Sequence, residues 1–181
     1  MNTKEKILDT VENLISKHNV NSFSIKDIAD DLKISKGTIF YYYRSKDEII
    51  LDIMSKHFNE LSNDYYAWLN KHKDELLSKE RFIEVIFYKG VELFNKAKIH
   101  IYLINECASG KPHLKEQYNS LWESWRIKLE TGIKQVFKDE VDEKIMSYLL
   151  MVIIDGLTIQ QVLNPRKELN QKVVKEIAMR W

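Results

Sequence analysis

The scarcity of glycine and proline limits most strongly what this chain can fold into. Its 181 residues include five glycines and two prolines. Strands joined by tight turns need both residue types at the turns, so the sequence argues against a β-rich fold. Hydrophobic residues make up 44% of the chain and charged residues 30%. That composition is typical of a globular chain long enough to bury a substantial core, so we expect a mostly helical globular protein.

Apolar residues recur at helical spacing along the chain and predict about nine helices. Two capping boxes, at residues 24–27 and 45–48, mark helix starts. Breaks occur at residues 110–112 and at Asn164-Pro165. The predicted helices span residues 3–18, 25–32, 35–43, 45–71, 79–95, 97–108, 113–138, 141–163 and 168–181.

Three short helices precede the longer ones, so the sequence predicts a small module at residues 1–46 and a larger helical bundle at 47–181. The longest apolar run, Tyr148 to Ile154, is far too short to span a bilayer. The first residues carry no apolar signal segment, and the single cysteine excludes an internal disulfide. We therefore expect a cytoplasmic protein that binds no membrane.

Residues 24–43 have the pattern helix, short turn, short helix. This is the helix-turn-helix pattern, whose second helix enters a DNA major groove. On a helical wheel, Ile39 and Tyr43 point inward against the preceding helix. The opposite face carries Gly37, Thr38, Tyr41 and, at its shoulder, Tyr42. Small, polar and aromatic side chains suit close backbone approach, thymine methyl contact and phosphate hydrogen bonds.

Positive charge is concentrated in the same segment. Residues 33–46 include no acidic residue and four basic ones, Lys33, Lys36, Arg44 and Lys46. Ser35 and Ser45 precede two helix N-termini, whose backbone amides suit anions. From the pattern alone two interpretations stay open: DNA binding, or a helix-turn-helix whose basic residues are only solvated.

The sequence SKGTIFYYY at 35–43, followed by SKDEI at 45–49, resembles the recognition-helix signature of the TetR family of bacterial regulators. SIKDIA at 24–29 and Ile7-Leu8 fit the same family, so the resemblance covers about residues 4–54. Farther along, IDGL at 154–157 resembles a segment often seen in the family's C-terminal domain.

The resemblance implies an all-α fold with a three-helix DNA-binding module and a bundle for ligand binding and dimerisation. It implies a homodimer that binds double-stranded DNA at a palindromic operator and represses a gene until a small-molecule effector releases it. No cofactor and no metal is implied. Carried over position by position, the DNA-binding residues are Ser24, Ser35, Lys36, Gly37, Thr38, Tyr41, Tyr42 and Lys46.

Four positions depart from the family pattern. Asn19 and Lys33 stand where the family often has glycine. Asn19 tolerates a left-handed conformation, whereas Lys33 would be strained by about 1 kcal/mol if its turn needs a positive φ. Phe40 stands where many relatives have tyrosine, so it lacks a hydroxyl for phosphate and is expected at the rim. Tyr43 stands where relatives often have phenylalanine and is expected in the core.

The helix predicted at 141–163 is apolar on more than one face. Such a helix needs two partners, which we expect to be its own core and a second subunit, with the last helix as its companion. The alternative is a helix at the centre of a monomeric bundle. Asp155 within it is expected to cap or pair inside the bundle.

Aromatic residues are plentiful between positions 58 and 125. They fit either a pocket for a lipophilic or aromatic effector, or ordinary core packing. Glu106 follows an apolar stretch, and its partner would be a cationic ligand, an internal Lys, Arg or Tyr, or water. The candidate ligand-binding residues are Tyr102, Glu106, Trp122 and Trp125.

Catalysis finds little support in the sequence. His100, Glu106, Cys107 and His113 make no recognised metal-ligand pair, and there is no Gly-rich phosphate loop or nucleophile elbow. We therefore expect no enzyme and no catalytic residue. A second hypothesis keeps the fold but has the helix-turn-helix surface bind a protein, as a co-regulator without direct DNA contact. Salt dependence separates the two, because phosphate contacts weaken steeply as salt rises.

Overall fold

The structure of the protein, a computed structural model, describes residues 2–72, 77–92, 96–138, 140–164 and 167–180. Within these residues it contains nine α-helices, one 3-10 turn (Val20–Ser22) and no strand. The all-α prediction is confirmed; residues 93–95 and 181, at two predicted helix ends, lie outside the described residues. The helices are α1 (Thr3–Lys17), α2 (Ile25–Leu32), α3 (Lys36–Tyr42), α4 (Lys46–Lys71), α5 (Lys79–Glu92), α6 (Ala97–Ala108), α7 (Pro112–Phe137), α8 (Glu143–Leu163) and α9 (Lys167–Arg180).

The chain divides into two compact units. The first unit comprises residues 1–57 and 98–119, and the second comprises 58–97 and 120–181. Helices α4 and α7 each contribute residues to both. The start of α4 and nearly all of α6 belong to the same unit as the first three helices. The predicted domain boundary at residue 46 stays a prediction.

In the first unit, α1 packs on α2 and α2 packs on α3. The side chains between these helices are apolar and fully buried, as the helical periodicity predicts. They include Ile7, Val11, Ile28 and Ile39, and Ile49 near the start of α4 is fully buried too. The core therefore determines which side of the short helix α3 faces away from it.

The turn between α2 and α3 depends on Lys33. Its backbone is left-handed, with φ 53° and ψ 42°. The Lys33 amide donates to the Asp30 carbonyl at 3.3 Å, and the Ile34 amide donates to the Ala29 carbonyl at 3.0 Å. This is the Schellman pattern, which requires a left-handed residue and favours glycine. The strain expected for a lysine at this position therefore applies.

Asn19 does not adopt the left-handed conformation expected at a position where the family often has glycine. Asn19 has an extended backbone, with φ −81° and ψ 152°. Helix α1 ends instead with an extended His18, whose amide donates to the Leu14 carbonyl at 2.9 Å. The chain passes through extended His18 and Asn19 into the 3-10 turn, so no left-handed residue is needed.

The second unit has a core rich in aromatic rings. Its fully buried side chains include Tyr65, Phe82, Leu129, Ile133 and Phe137. Helix α5 contacts α8 and α9. Among the described helices, none is long and apolar enough to cross a membrane.

Candidate nucleic-acid interface

Helix α3 begins with a side-chain cap. The Ser35 hydroxyl oxygen accepts a hydrogen bond from the Thr38 amide at 3.0 Å. The Ser35 and Thr38 hydroxyl oxygens are also 2.9 Å apart, at hydrogen-bonding distance. The cap satisfies one of the free amides of a helix only seven residues long. It also fixes the direction in which α3 starts.

The inward side of α3 is anchored as predicted. Ile39 is fully buried, and Tyr43 just past the helix end is 5% exposed. The Tyr43 hydroxyl donates to Asp52 at 2.6 Å, and the Lys4 ammonium lies 2.8 Å from the same carboxylate oxygen. Burial and the Asp52 carboxylate raise the pKa of Tyr43, so its hydroxyl remains a donor. The core position predicted for Tyr43 is confirmed.

The outward side of α3 presents aromatic rings to solvent. Tyr41 is 83% exposed, Phe40 51% and Tyr42 40%. The Tyr41 and Tyr42 rings meet edge to face with their centroids 5.0 Å apart. Large exposed aromatic side chains side by side favour an external partner over a packing role. The predicted orientation of the helix is confirmed.

Gly37 is not required by the fold. It is exposed, and a Cβ atom built on it would meet only the Ser35 hydroxyl oxygen, at the ordinary contact distance of 3.5 Å. Its φ also lies outside the left-handed region. No packing contact in the first unit therefore requires glycine at this position. The absence of a side chain leaves open space for close approach from outside.

The basic residues of this segment divide into two groups. Lys33, Lys36 and Arg44 are exposed around α3. Lys46 instead donates its ammonium hydrogens to the Val20 carbonyl and, at 2.8 Å, to the Phe23 carbonyl.

The Lys46 ammonium also lies 3.9 Å from the centroid of the Phe23 ring. Its burial lowers the pKa of Lys46. The DNA contact assigned to Lys46 stays a prediction, and the structure gives its ammonium an internal role that the sequence did not indicate. Lys46 joins the start of α4 to the segment before α2.

The two serines at helix starts behave differently. Ser24 and Asp27 form the predicted capping box: the Ser24 amide and hydroxyl each donate to the Asp27 carboxylate at 2.7 Å. These bonds lower the pKa of Asp27, so a phosphate bound at Ser24 would face a carboxylate. At Ser45 the box is half formed, because the Glu48 carboxylate accepts from the Arg44 amide instead.

The predicted ligand-binding residues of the first unit belong to an ionic cluster around Asp47. The Tyr102 hydroxyl donates to one Asp47 oxygen at 2.6 Å, and the Lys111 ammonium donates to the other at 2.5 Å. Lys111 also pairs with Glu106. The partner of Glu106 is therefore an internal lysine, one of the alternatives that the sequence left open.

Burial alone would raise the pKa of Asp47. The hydrogen bonds from Lys111 and Tyr102 outweigh it and lower that pKa. Asp47 and Lys111 carry no sequence signal of their own, since they lie 64 positions apart and meet only in the folded chain.

Trp122 and Trp125 lie in the second unit. The Trp122 indole nitrogen is 3.3 Å from Asp155, which confirms that Asp155 pairs within the bundle. Trp125 is 2% exposed and packs edge to face on Tyr65, with ring centroids 5.6 Å apart. The four candidate ligand-binding residues thus divide between the two units, and their role stays a prediction. Within the described residues, no three His, Cys, Asp or Glu side chains come together as metal ligands would.

Comparison with known protein families gives a match at the N-terminus. Residues 7–53 match the family described as bacterial regulatory proteins, tetR family. This range contains α2, the turn at Lys33 and α3 in full. The match thus falls on the helix-turn-helix described above.

Comparison with individual proteins extends the similarity. The chain is 30% identical over 107 residues to the HTH-type dhaKLM operon transcriptional activator DhaS of Lactococcus lactis subsp. lactis (strain IL1403). That match covers 56% of this chain and 55% of DhaS, so the chain spans about half the length of this relative.

Two solved structures share the fold over nearly the whole chain. A protein from Saccharomonospora viridis in complex with choline has a TM-score of 0.76 and 21% identity, covering 96% of this chain and 93% of that one. The transcriptional regulator FadR from Bacillus subtilis in complex with stearoyl-CoA has a TM-score of 0.72 and 17% identity, covering 96% of each chain. At these identities the likeness concerns the fold alone.

Proposed function

Because this chain belongs to the TetR family of bacterial regulatory proteins, we propose that it is a sequence-specific, DNA-binding regulator of transcription. It acts as a homodimer on a palindromic operator, and a small-molecule effector controls its affinity for DNA. Repression, relieved by the effector, is the form of regulation that we propose. The name of DhaS shows that a relative of this chain can be an activator, so the sign of regulation needs its own measurement.

The observation that carries this proposal is the outward surface of α3. Tyr41 and Tyr42 are exposed beside a glycine that the fold does not need. The tyrosine hydroxyls suit phosphate oxygens, and the open surface at Gly37 allows the helix backbone to approach base edges. Lys36 supplies a positive charge at the first turn, and the Thr38 methyl suits a thymine methyl.

The homodimer is supported by an apolar stripe on α8. At 100° per residue its members fall within about 100° of one another around the helix axis, so they share one helix face. They are 37 to 73% exposed in the single chain. A second copy of the same face would cover them with matching apolar groups. The stripe consists of Ile145, Tyr148, Leu149, Val152, Ile159 and Leu163.

The substitution Val152→Glu tests the dimer, because it places a charge in the middle of the stripe. We expect light scattering to report a monomer, or a dimer weakened at least tenfold. Asn13→Glu on the exposed side of α1 is the matched control and should leave the mass unchanged. An unchanged dimer in both variants would exclude this stripe as the interface.

The proposed regulation is a two-state equilibrium. In the DNA-binding state, the two recognition helices of the dimer lie about 34–36 Å apart, one turn of DNA. Helix α4 has residues in both units, so an effector that favours another arrangement of the second unit can change that spacing. The effector shifts the equilibrium only by its difference in affinity for the two states.

Selection of bound fragments from a random DNA pool, at two salt concentrations, tests the proposal. We expect an enriched palindrome whose binding weakens steeply at higher salt. If the protein is folded, dimeric and free of bound ligand by native mass spectrometry, yet enriches nothing, direct DNA binding is excluded. The co-regulator hypothesis would then take its place.

Variants of α3 locate the contact surface. Gly37→Ala and Tyr41→Ala should each weaken operator binding about tenfold or more, while the melting temperature stays within a degree or two. Lys36→Ala should lower the salt slope by about one unit. Lys56→Ala, at an exposed position of α4, is the control and should change neither quantity. Unchanged affinity in all three α3 variants would contradict the assignment of the surface.

A further inference from the structure

The core of the second unit buries two hydrogen-bond donors that have no acceptor among the described residues. The Tyr65 side chain is fully buried and Trp125 is 2% exposed. Neither the Tyr65 hydroxyl nor the Trp125 indole nitrogen makes a hydrogen bond to another described residue. Each such group destabilises a folded protein, and native structures contain few of them. Two together, with ring centroids 5.6 Å apart, therefore indicate a missing acceptor.

A third donor lies one helical turn away. On α7, Lys128 follows Trp125 by three residues, and on α4, Ser62 precedes Tyr65 by three. The Lys128 ammonium donates to the Ser62 hydroxyl at 2.9 Å, and that hydroxyl donates its own hydrogen to the Phe58 carbonyl at 2.6 Å. No carboxylate of the described residues is paired with Lys128. Facing turns of α4 and α7 thus offer three donors, one of them positively charged.

Packing accounts for the position of the Tyr65 side chain but leaves its hydroxyl hydrogen without an acceptor among the described residues. A phenylalanine would fill the same ring volume without burying an unpaired hydroxyl. The hydroxyl lies against Gly132 of α7, where an added Cβ would come within 1.8 Å of it. Burial raises the pKa of Tyr65, so the hydroxyl keeps its proton and can only gain by meeting an acceptor.

The surroundings of these donors are apolar. The Phe82 ring lies 6.5 Å from the Tyr65 ring and 5.9 Å from the Phe137 ring, centroid to centroid. Leu129, one residue beyond Lys128, is fully buried. An occupant of this region would therefore place apolar groups among the rings and its polar end at the donors.

We propose that Tyr65, Trp125 and Lys128 form the polar end of the effector site and that the effector is an organic anion, an apolar body bearing a carboxylate or a similar group. The inference rests on the proposed function, since it names the chemistry of that effector. The fold itself does not select the ligand's charge, because similar folds were solved with choline and with stearoyl-CoA. The donors of this chain select an anion.

Three ten-carbon probes test the charge preference: decanoate, decan-1-ol and decyltrimethylammonium. Each is titrated into the purified full chain at pH 7.5 without DNA, with calorimetry and the melting temperature as readouts. We expect decanoate to bind at least tenfold more tightly than the other two and to raise the melting temperature most. Equal binding of all three probes, or binding of none, would overturn the inference.

Variants tie the preference to the named residues. Lys128→Met should abolish the preference for decanoate, and Tyr65→Phe should weaken decanoate binding about fivefold or more. Lys134→Met, exposed on the same helix, and Tyr66→Phe, the neighbouring tyrosine, are the controls. The control Lys134→Met should keep the preference for decanoate. If Lys128→Met keeps it too, the assignment is overturned. A buried water in place of a ligand would show as a destabilised Tyr65→Phe variant with no probe binding, because that water would lose a hydrogen-bond partner.

The two proposals fail separately. Operator selection with ligand-free protein tests DNA binding without any probe, and probe titration tests the anion site without DNA. Intact operator binding with no preference for decanoate would remove only the anion site. A decanoate preference with no enriched DNA would remove the regulator function instead.

Discussion

Gly37 on the outward surface of α3 and Gly132 in the core between α4 and α7 are both helical glycines, in opposite surroundings. A Cβ on Gly37 would meet one hydroxyl oxygen at 3.5 Å, whereas a Cβ on Gly132 would fall 1.8 Å from the Tyr65 hydroxyl and 3.0 Å from Phe82. Position 132 requires glycine because Tyr65 and Phe82 of the same chain fill the space that a side chain would occupy. Gly37 has no internal neighbour that requires it, so its small size serves an external partner.

The polar groups of the two regions differ in the same way. Around α3, the capping serines, Tyr43 and Lys46 have partners within the first unit, and the exposed tyrosines are solvated. Between α4 and α7, the Tyr65 hydroxyl and the Trp125 indole nitrogen are buried with no hydrogen-bond partner among the described residues. A surface site keeps its unused groups in water, whereas a core site has to bury them. A buried unpaired donor is therefore the more informative signal.

Gly132→Ala should have the largest effect on stability. The added methyl group overlaps the Tyr65 hydroxyl, and overpacking of this kind destabilises a protein by about 3 kcal/mol. Gly37→Ala is the control and should leave the free energy of unfolding within about 0.5 kcal/mol. Chemical denaturation measures both. Equal effects of the two substitutions would remove the contrast between the regions.

Lys46→Met should destabilise the protein by about 2 kcal/mol, because the Val20 and Phe23 carbonyls lose a charged donor. If Lys46 served only as a DNA contact, its removal would leave the melting temperature unchanged. Lys36→Met, at an exposed position on α3, is the comparison and should not change it. Loss of DNA affinity in Lys46→Met at full stability would restore the contact role.

Asp47→Asn should destabilise the protein by about 1 kcal/mol at neutral pH, a modest effect because the cluster is partly solvated. The folded-state pKa of Asp47 is lowered, while the unfolded value is about 3.9. Its contribution is therefore complete above about pH 4 and disappears as the pH falls through the folded value. Chemical denaturation of the wild-type and Asp47→Asn proteins across this pH range should show that their difference in free energy of unfolding disappears at acid pH. Asp31→Asn, exposed on α2, should show no such convergence.

Lys33→Gly should stabilise the protein by about 0.5–1 kcal/mol. Glycine adopts the left-handed backbone without the steric penalty that lysine meets at φ 53°, although it also gains freedom in the unfolded chain. Thermal denaturation measures the change. A loss of stability would mean that the penalty at this turn is smaller than the entropy that glycine adds.

Much of the first unit was predictable because its signals are local. The capping box at Ser24, the inward Ile39 and Tyr43, and the outward Tyr41 follow from spacings of three or four residues. Lys33 stands out for the same reason, since it stands at the end of α2 where the family often has glycine, and its backbone is left-handed there. The position of Asn19 was not predictable in this way, because α1 ends in two extended residues that the sequence does not mark.

The contacts that the sequence missed join residues far apart in the chain. Lys46 reaches Val20 and Phe23, 26 and 23 positions before it. Lys128 reaches Ser62, 66 positions before it. No periodicity relates such pairs, because they depend on how whole helices pack.

The sequence by itself determined the helices, their caps and the two sides of α3, because these follow from backbone geometry within a few residues. Only the tertiary structure decided that Lys46 is internal, that Glu106 has a partner and that Tyr65 and Trp125 lack one. Burial and pairing are properties of helices packed against each other. Whether a polar side chain is satisfied therefore depends on its spatial neighbours, which a single sequence does not specify.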